Sequence, residues 1–138
     1  MIRYFNENIA FKLAQKLEIK KWLSDVAKQE GMAVGDINYI FCDDEHLLGI
    51  NKEYLAHDYY TDIITFDNSE EDTKIEGDIY VSIDRIKDNA KDLNVSFDRE
   101  LKRVLAHGVL HLCGYKDKTK QDEQQMRGKE EYYLKQIV

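Results

Sequence analysis

The sequence contains no proline, two cysteines, and no apolar run long enough to cross a membrane. Two cysteines are too few for a disulfide framework, so we expect reduced thiols and a cytoplasmic protein. The opening MIRYFNENIAFK lacks a basic segment followed by an apolar stretch, which argues against a secretory signal. We draw nothing functional from the absence of proline.

Basic residues are also scarce, with 20 Lys and Arg against 27 Asp and Glu and a net charge of −7. Strong non-specific binding of nucleic acid normally needs a basic surface, so the composition argues against it, although a local basic patch stays compatible. The chain has 138 residues, of which 43% are apolar, enough for a real core. This length predicts a single domain over 1–138.

Helical and strand patterns are mixed along the chain and predict an α/β (α+β) fold. We expect a mixed sheet of about four strands covered by about five helices, with a metal site at the end of a helix. The acidic segment 67–77 predicts a surface loop. β-branched and aromatic residues predict strands over 36–42, 61–66 and 77–83. Apolar spacing predicts helices over 19–31, 43–55, 84–93, 96–114 and 120–138.

The helix over 96–114 carries the residues with chemistry. His107 and His111 are four residues apart and therefore share one side of the helix. Gly114 allows the left-handed conformation that ends a helix, and the chain can then return the Asp117 carboxylate to the two rings. Two His and one Asp leave the fourth tetrahedral position for water, as a catalytic zinc requires. We predict one Zn²⁺ per chain, held by His107, His111 and Asp117.

This spacing is also the zinc frame of the metzincin proteases. In those enzymes the residue after the first His is the glutamate that acts as general base. Here that residue is Gly108, which cannot accept a proton. It faces the apolar stripe of the helix, where it permits close packing. A metalloprotease therefore stays an alternative, but we expect no general peptidase activity.

Three segments resemble motifs of the YbeY family, metal-dependent endoribonucleases of bacterial ribosomal RNA maturation: HGVLHLCGY, INKEYLAHDYYTDIITFD and EGDIYVSID. The resemblance implies a zinc-dependent endoribonuclease specific for single strands that acts in 16S rRNA 3′-end maturation and ribosome quality control. Its partners would be RNA and the small ribosomal subunit or a ribosomal particle, and we expect a monomer. The catalytic group would be a water on the metal, with no base identified. A non-catalytic ribosome-assembly factor with a structural metal is a second alternative, which the open ligand position disfavours.

The sequence departs from the family pattern at three positions. The third ligand position is usually His and is here Asp117, whose negative charge should make a bound water less acidic than three imidazoles would. The family's Asp before that position is Lys116. The family's basic residue after the tyrosine is Leu55, so one expected phosphate contact is missing.

Four residues near the ligands are candidates for substrate binding. Arg103 lies one turn before His107 and could contact a phosphate, the alternative being a surface ion pair. Lys116 and Lys118 flank Asp117 and could form a local basic patch, the alternative being a solvated loop. Tyr115 could stack on a base or pack against the helix end. His57 is predicted to be a loop residue.

Overall fold

The computed structural model describes residues 1–137, in which one four-stranded sheet is covered by five helices. The elements in chain order are β1 (Ile2–Glu7), α1 (Lys16–Gln29), β2 (Ala33–Cys42), α2 (Asp44–Leu55), β3 (Ile63–Asp67), β4 (Lys74–Ser82), α3 (Ile83–Leu93), α4 (Phe97–Leu112) and α5 (Lys120–Leu134). Within the described residues no helix is both long and apolar enough to span a membrane.

The strand order in the sheet is β1-β2-β4-β3. β1, β2 and β4 are parallel, and β3 is antiparallel to β4. This mixed sheet with its helices confirms the predicted fold class.

β1 is the strand that the sequence patterns did not predict. It lies at the edge of the sheet and pairs with β2 in parallel, from Ile2 opposite Ile37 to Glu7 opposite Cys42. Ile2 is fully buried, whereas most of the strand's other side chains are exposed. A short edge strand with one buried position lacks the alternation that reveals a strand, and its pairing depends on residues far along the chain.

The predicted loop over 67–77 is shorter in the structure, where 68–73 connects β3 to β4. Its outer parts belong to the antiparallel pair, in which Asp67 lies opposite Gly77. β4 has buried residues at every second position from Ile75, so it alternates as a strand should. The prediction of a loop beyond residue 73 was wrong because acidic and polar side chains point outward from this strand.

The main core lies between the sheet and α4, with α1, α3 and α5 packed around that helix. α4 begins after Ser96, whose hydroxyl accepts a hydrogen bond from the Arg99 amide at 3.1 Å, as predicted for its N-cap. A Cβ atom on Gly108 would lie 2.9 Å from Ile79 Cδ1 and 3.3 Å from Ile63 Cδ1. Gly108 therefore lets α4 approach the sheet closely, which confirms the packing role expected of it.

α4 ends where the sequence predicted. Gly114 has a φ of +110°, and its amide donates to the His111 carbonyl at 3.0 Å. The Tyr115 amide donates to the Leu110 carbonyl at 3.1 Å, so the last carbonyls of the helix are satisfied. The chain then turns back through 115–119 to the N-cap of α5 at Thr119, where it meets a capping box. This reversal brings Asp117 beside α4.

Candidate active site

A cleft of about 1150 Å³ lies between α4, the adjoining side of α5, β3 and the segment that joins α2 to β3. Its lining includes the three predicted metal ligands His107, His111 and Asp117. It also includes both polar and apolar residues from four different elements, so it is formed only by the folded chain. A concave site that collects polar groups in this way is the usual form of an active site.

Two of the three predicted ligands lie face to face. His107 Nε2 is 3.4 Å from Asp117 Oδ2, the imidazole being 15% and the carboxylate 49% exposed. His111 lies one turn further along α4 and lines the same cleft. Across 1–137, no three His, Cys, Asp or Glu side chains already stand in a metal-binding arrangement. The structure thus brings the ligands to one cleft, and the metal itself stays a prediction.

The other ring nitrogen of His107, Nδ1, forms a hydrogen bond with Glu130 of α5. His107 Nδ1 lies 2.7 Å from Glu130 Oε2, and the glutamate side chain is 2% exposed. An ionised carboxylate can only accept, so Nδ1 donates its proton to Glu130, and a ring with no second proton has its lone pair on Nε2. Nε2 and the Asp117 carboxylate can then share a cation between them, either a proton or a metal ion. Metal-binding histidines are commonly oriented by a carboxylate in this way.

A buried charge network continues from Glu130. The Arg103 guanidinium donates to Glu100 at 2.7 and 2.8 Å and to Glu130 at 3.1 Å, and it lies 3.6 Å from Asp62. Burial alone would raise the pKa of Glu130, but the hydrogen bond from His107 and the charge of Arg103 outweigh it, so the pKa is lowered. Burial raises the pKa of Asp62 despite those same two neighbours. Arg127 of α5 lies 3.6 Å from Glu130 and adds a second positive charge to this network.

Sequence reasoning missed Glu100 and Glu130. Both are 1% exposed, although glutamate is normally a surface residue. A signal was present for Glu130, because it lies four residues after Met126 and three before Tyr133 and so shares the buried face of α5. Helical spacing alone would have placed this carboxylate inside the protein, where it needs a partner.

The structure separates the candidate substrate contacts. Arg103 lines the cleft, but its side chain is 13% exposed and already pairs with carboxylates. The structure therefore favours the ion-pair alternative for Arg103, although the pair is buried and not on the surface. Lys118 lines the cleft, together with Lys120 and Arg127 of α5. Lys116 is exposed and, among the residues described, lies outside the cleft lining.

Tyr115 faces away from the cleft. Its hydroxyl donates to Glu30 at 2.6 Å. Glu30 is the C-cap of α1, so the Tyr115 side chain packs against the end of that helix. Glu30 also accepts hydrogen bonds from the Tyr133 hydroxyl and from Lys129 Nζ. Burial alone would raise the pKa of Glu30, but these three hydrogen bonds together lower it. The cluster fixes the start of the segment that carries Asp117.

Comparison with known proteins gives one consistent family. A family model described as "Endoribonuclease YbeY" matches residues 2–138. A relative of that description from Cytophaga hutchinsonii is 55% identical, covering 96% of this chain and 93% of its own. Another from Flavobacterium johnsoniae is 56% identical, covering 92% and 91%. The solution structure of TM1509 from Thermotoga maritima matches with a TM-score of 0.70 at 30% identity, over 99% of this chain and 89% of that one. Because the match extends over nearly the whole length on both sides, the chain belongs to the YbeY family.

Proposed function

We propose that this protein is a metal-dependent endoribonuclease that hydrolyses phosphodiester bonds of single-stranded RNA. Zn²⁺ would be held by His107, His111 and Asp117. The observation that carries the proposal is the arrangement of His107, whose Nδ1 is held by the buried Glu130 while its Nε2 faces Asp117 across 3.4 Å. Membership of a family described as endoribonucleases supplies the substrate class.

Each residue has a distinct task in this proposal. Zinc, when bound, would polarise a phosphate oxygen and lower the pKa of a water molecule. Glu130 fixes the ring orientation and tautomer of His107, and α4 fixes the spacing between the two histidines. Asp117 supplies the anionic ligand from the more exposed wall of the cleft. Three protein ligands leave room for water and substrate, as in catalytic rather than structural zinc sites.

Substrate binding in this proposal is local and not driven by total charge. A chain of net charge −7 repels a polyanion at long range. The cleft nevertheless contains Lys118 and Lys120, which can contact phosphates, and Arg127, which also pairs with Glu130 at 3.6 Å. Few such contacts give weak affinity for naked RNA. We therefore propose that the substrate is presented on a ribosomal particle, in cytoplasmic maturation of the 16S rRNA 3′ end, and that the protein acts as a monomer.

Gly108 argues against a peptidase that uses the same zinc frame. It occupies the position of the general base, and its Cα approaches Ile79 so closely that even a Cβ would lie 2.9 Å from that side chain. A glutamate there would require Ile79, Ile63 or α4 to shift. The general base of the peptidase mechanism is therefore absent from its position.

The proposal is tested by cleavage of an end-labelled single-stranded RNA before and after treatment with a chelator, with metal content measured in parallel. We expect chelation to abolish cleavage and zinc to restore it. His111→Ala should lose both metal and cleavage. His46→Ala is the matched control, because His46 pairs with Glu7 outside the cleft lining. Cleavage that survives both the chelator and His111→Ala would contradict the proposal, and metal binding without any cleavage would favour an assembly factor.

A further inference from the structure

Two stacked rings lie at the rim of the cleft, on the segment that joins α2 to β3. The rings of His57 and Tyr59 are 5.2 Å apart between centroids, with an angle of 22° between their planes. The Tyr59 hydroxyl and His57 Nδ1 are joined by a hydrogen bond of 3.1 Å. Both residues line the cleft, and Tyr59 is 56% exposed. An aromatic surface therefore faces solvent beside the proposed metal ligands.

This aromatic pair is held in place by a buried amide. Asn51 of α2 is 2% exposed, and its Nδ2 donates to the Tyr59 carbonyl at 2.9 Å. The His57 amide donates to the Asn51 carbonyl at 3.1 Å, and Ala56 between them has a φ of +56°. The side chain of Asn51 thus holds the backbone at Tyr59, and its main-chain carbonyl holds the backbone at His57. These hydrogen bonds fix the backbone from which both rings project, so the fold determines the position of the pair.

The cleft contains cationic side chains as well as this aromatic pair. Lys118 and Lys120 line it on segments that follow α4, and Arg127 lines it while pairing with Glu130 at 3.6 Å. Leu55, which adjoins the pair and is 42% exposed, adds apolar surface instead of charge. Rings on one side and cations on another are what proteins use to bind single strands, whose bases stack and whose phosphates pair with Lys and Arg.

We infer that His57 and Tyr59 form a base-stacking subsite, which takes one nucleobase of a single-stranded RNA while Lys118 and Lys120 contact its phosphates. This inference rests on the proposed function. Every base has a flat face, so the subsite selects unpaired over paired nucleotides and distinguishes the bases weakly. Stacking at this subsite would also add affinity for RNA, which Leu55 cannot do through a positive charge.

The test compares two strands of equal length and charge, one ordinary RNA and one whose bases are removed. Their binding to metal-free protein in chelator, where the strand stays intact, is measured by fluorescence anisotropy. We expect the parent protein to bind the ordinary strand about 5- to 150-fold more tightly, the range that one stacked base supplies. Tyr59→Ala should lose most of this preference and Tyr59→Phe should keep it. Tyr54→Ala is the control, because Tyr54 is 64% exposed on α2 but outside the cleft lining.

The outcomes separate this inference from the function that it rests on. If the parent cleaves RNA but Tyr59→Ala, with an unchanged melting temperature, keeps the full preference for bases, the subsite is wrong and the function stands. If the parent neither cleaves nor binds RNA, both fail together. If Tyr54→Ala loses the preference as fully as Tyr59→Ala, the effect is not specific to the aromatic pair and the assignment falls.

Discussion

Replacing Glu130 by glutamine removes the charge beneath His107 without changing the size of the side chain. Glu130 accepts from His107 at 2.7 Å and from Arg103 at 3.1 Å. A glutamine has one acceptor and one donor end, so whichever way the amide is turned, an N–H faces either the imidazole proton or the guanidinium. His107 escapes this conflict by moving its proton to Nε2, the nitrogen that faces the cleft.

The magnitude of this effect follows from the role of the carboxylate. With a proton on Nε2, His107 can bind a metal only after tautomerisation or ring rotation against the buried amide. Loss of such a partner typically weakens metal affinity by about 10- to 100-fold, or roughly 1.4–2.7 kcal/mol. Arg103 keeps Glu100 as a partner, so the variant is not left with an unpaired buried cation, and we expect it to fold.

The assay is a competition titration of zinc between the metal-free protein and a chromophoric chelator. Glu131→Gln is the matched control, because Glu131 is the next residue of α5 but pairs with Arg99 at 2.8 Å and is 45% exposed. The control should bind zinc as the parent does and lose at most about 1 kcal/mol of stability. Unchanged zinc affinity in a folded Glu130→Gln variant would refute the argument that this carboxylate orients His107.

Three further predictions concern other parts of the protein. Gly108→Ala should lower the free energy of unfolding by up to about 2 kcal/mol, because a Cβ 2.9 Å from Ile79 Cδ1 costs about 1–3 kcal/mol and alanine regains about 1 kcal/mol of helix propensity; a raised denaturation midpoint would contradict the close approach of α4. Glu30→Gln should flatten the acid side of the stability curve: the folded pKa is below the usual 4.5, so the parent's contribution is present above that pH and is lost as the pH falls below it. Equal slopes for both proteins below pH 4.5 would count against this. Asp117→His should retain metal and cleavage, whereas Asp117→Ala should lose metal; full metal binding by Asp117→Ala would show that residue 117 is not the third ligand.

The parts of the site that could be predicted from sequence are those set by local geometry. Four-residue spacing on a helix put His107 and His111 on one cleft, and the positive φ of Gly114 ended α4 as expected. Ser96 capped the same helix. Each of these depends on residues within a few positions of one another, so the chain's own periodicity contains the information.

The parts that could not be predicted depend on contacts between distant segments. Tyr115 meets Glu30 of α1, 85 residues away, and this contact turns the ring from the cleft. The acidic partner of His107 lies 23 residues further along, on a helix whose orientation the sequence does not show. The spacing of Glu130 from Met126 and Tyr133 indicates its burial, but it does not identify His107 as its partner.

The position of α4 is fixed by contacts on two of its sides. This determines which of the three proposed metal ligands can be replaced by another residue type. Gly108 lets one side of the helix lie directly on β4, while the bond from His107 to Glu130 ties the other side to α5. Both histidines therefore sit on a rigid element with little freedom to adjust. Asp117 lies instead in the segment between α4 and α5, and its carboxylate is 49% exposed. In the proposed site, a ligand on such a segment can shift to suit its own length, so aspartate can stand where the family resemblance implies histidine, whereas replacing His107 by aspartate would remove its hydrogen bond to Glu130.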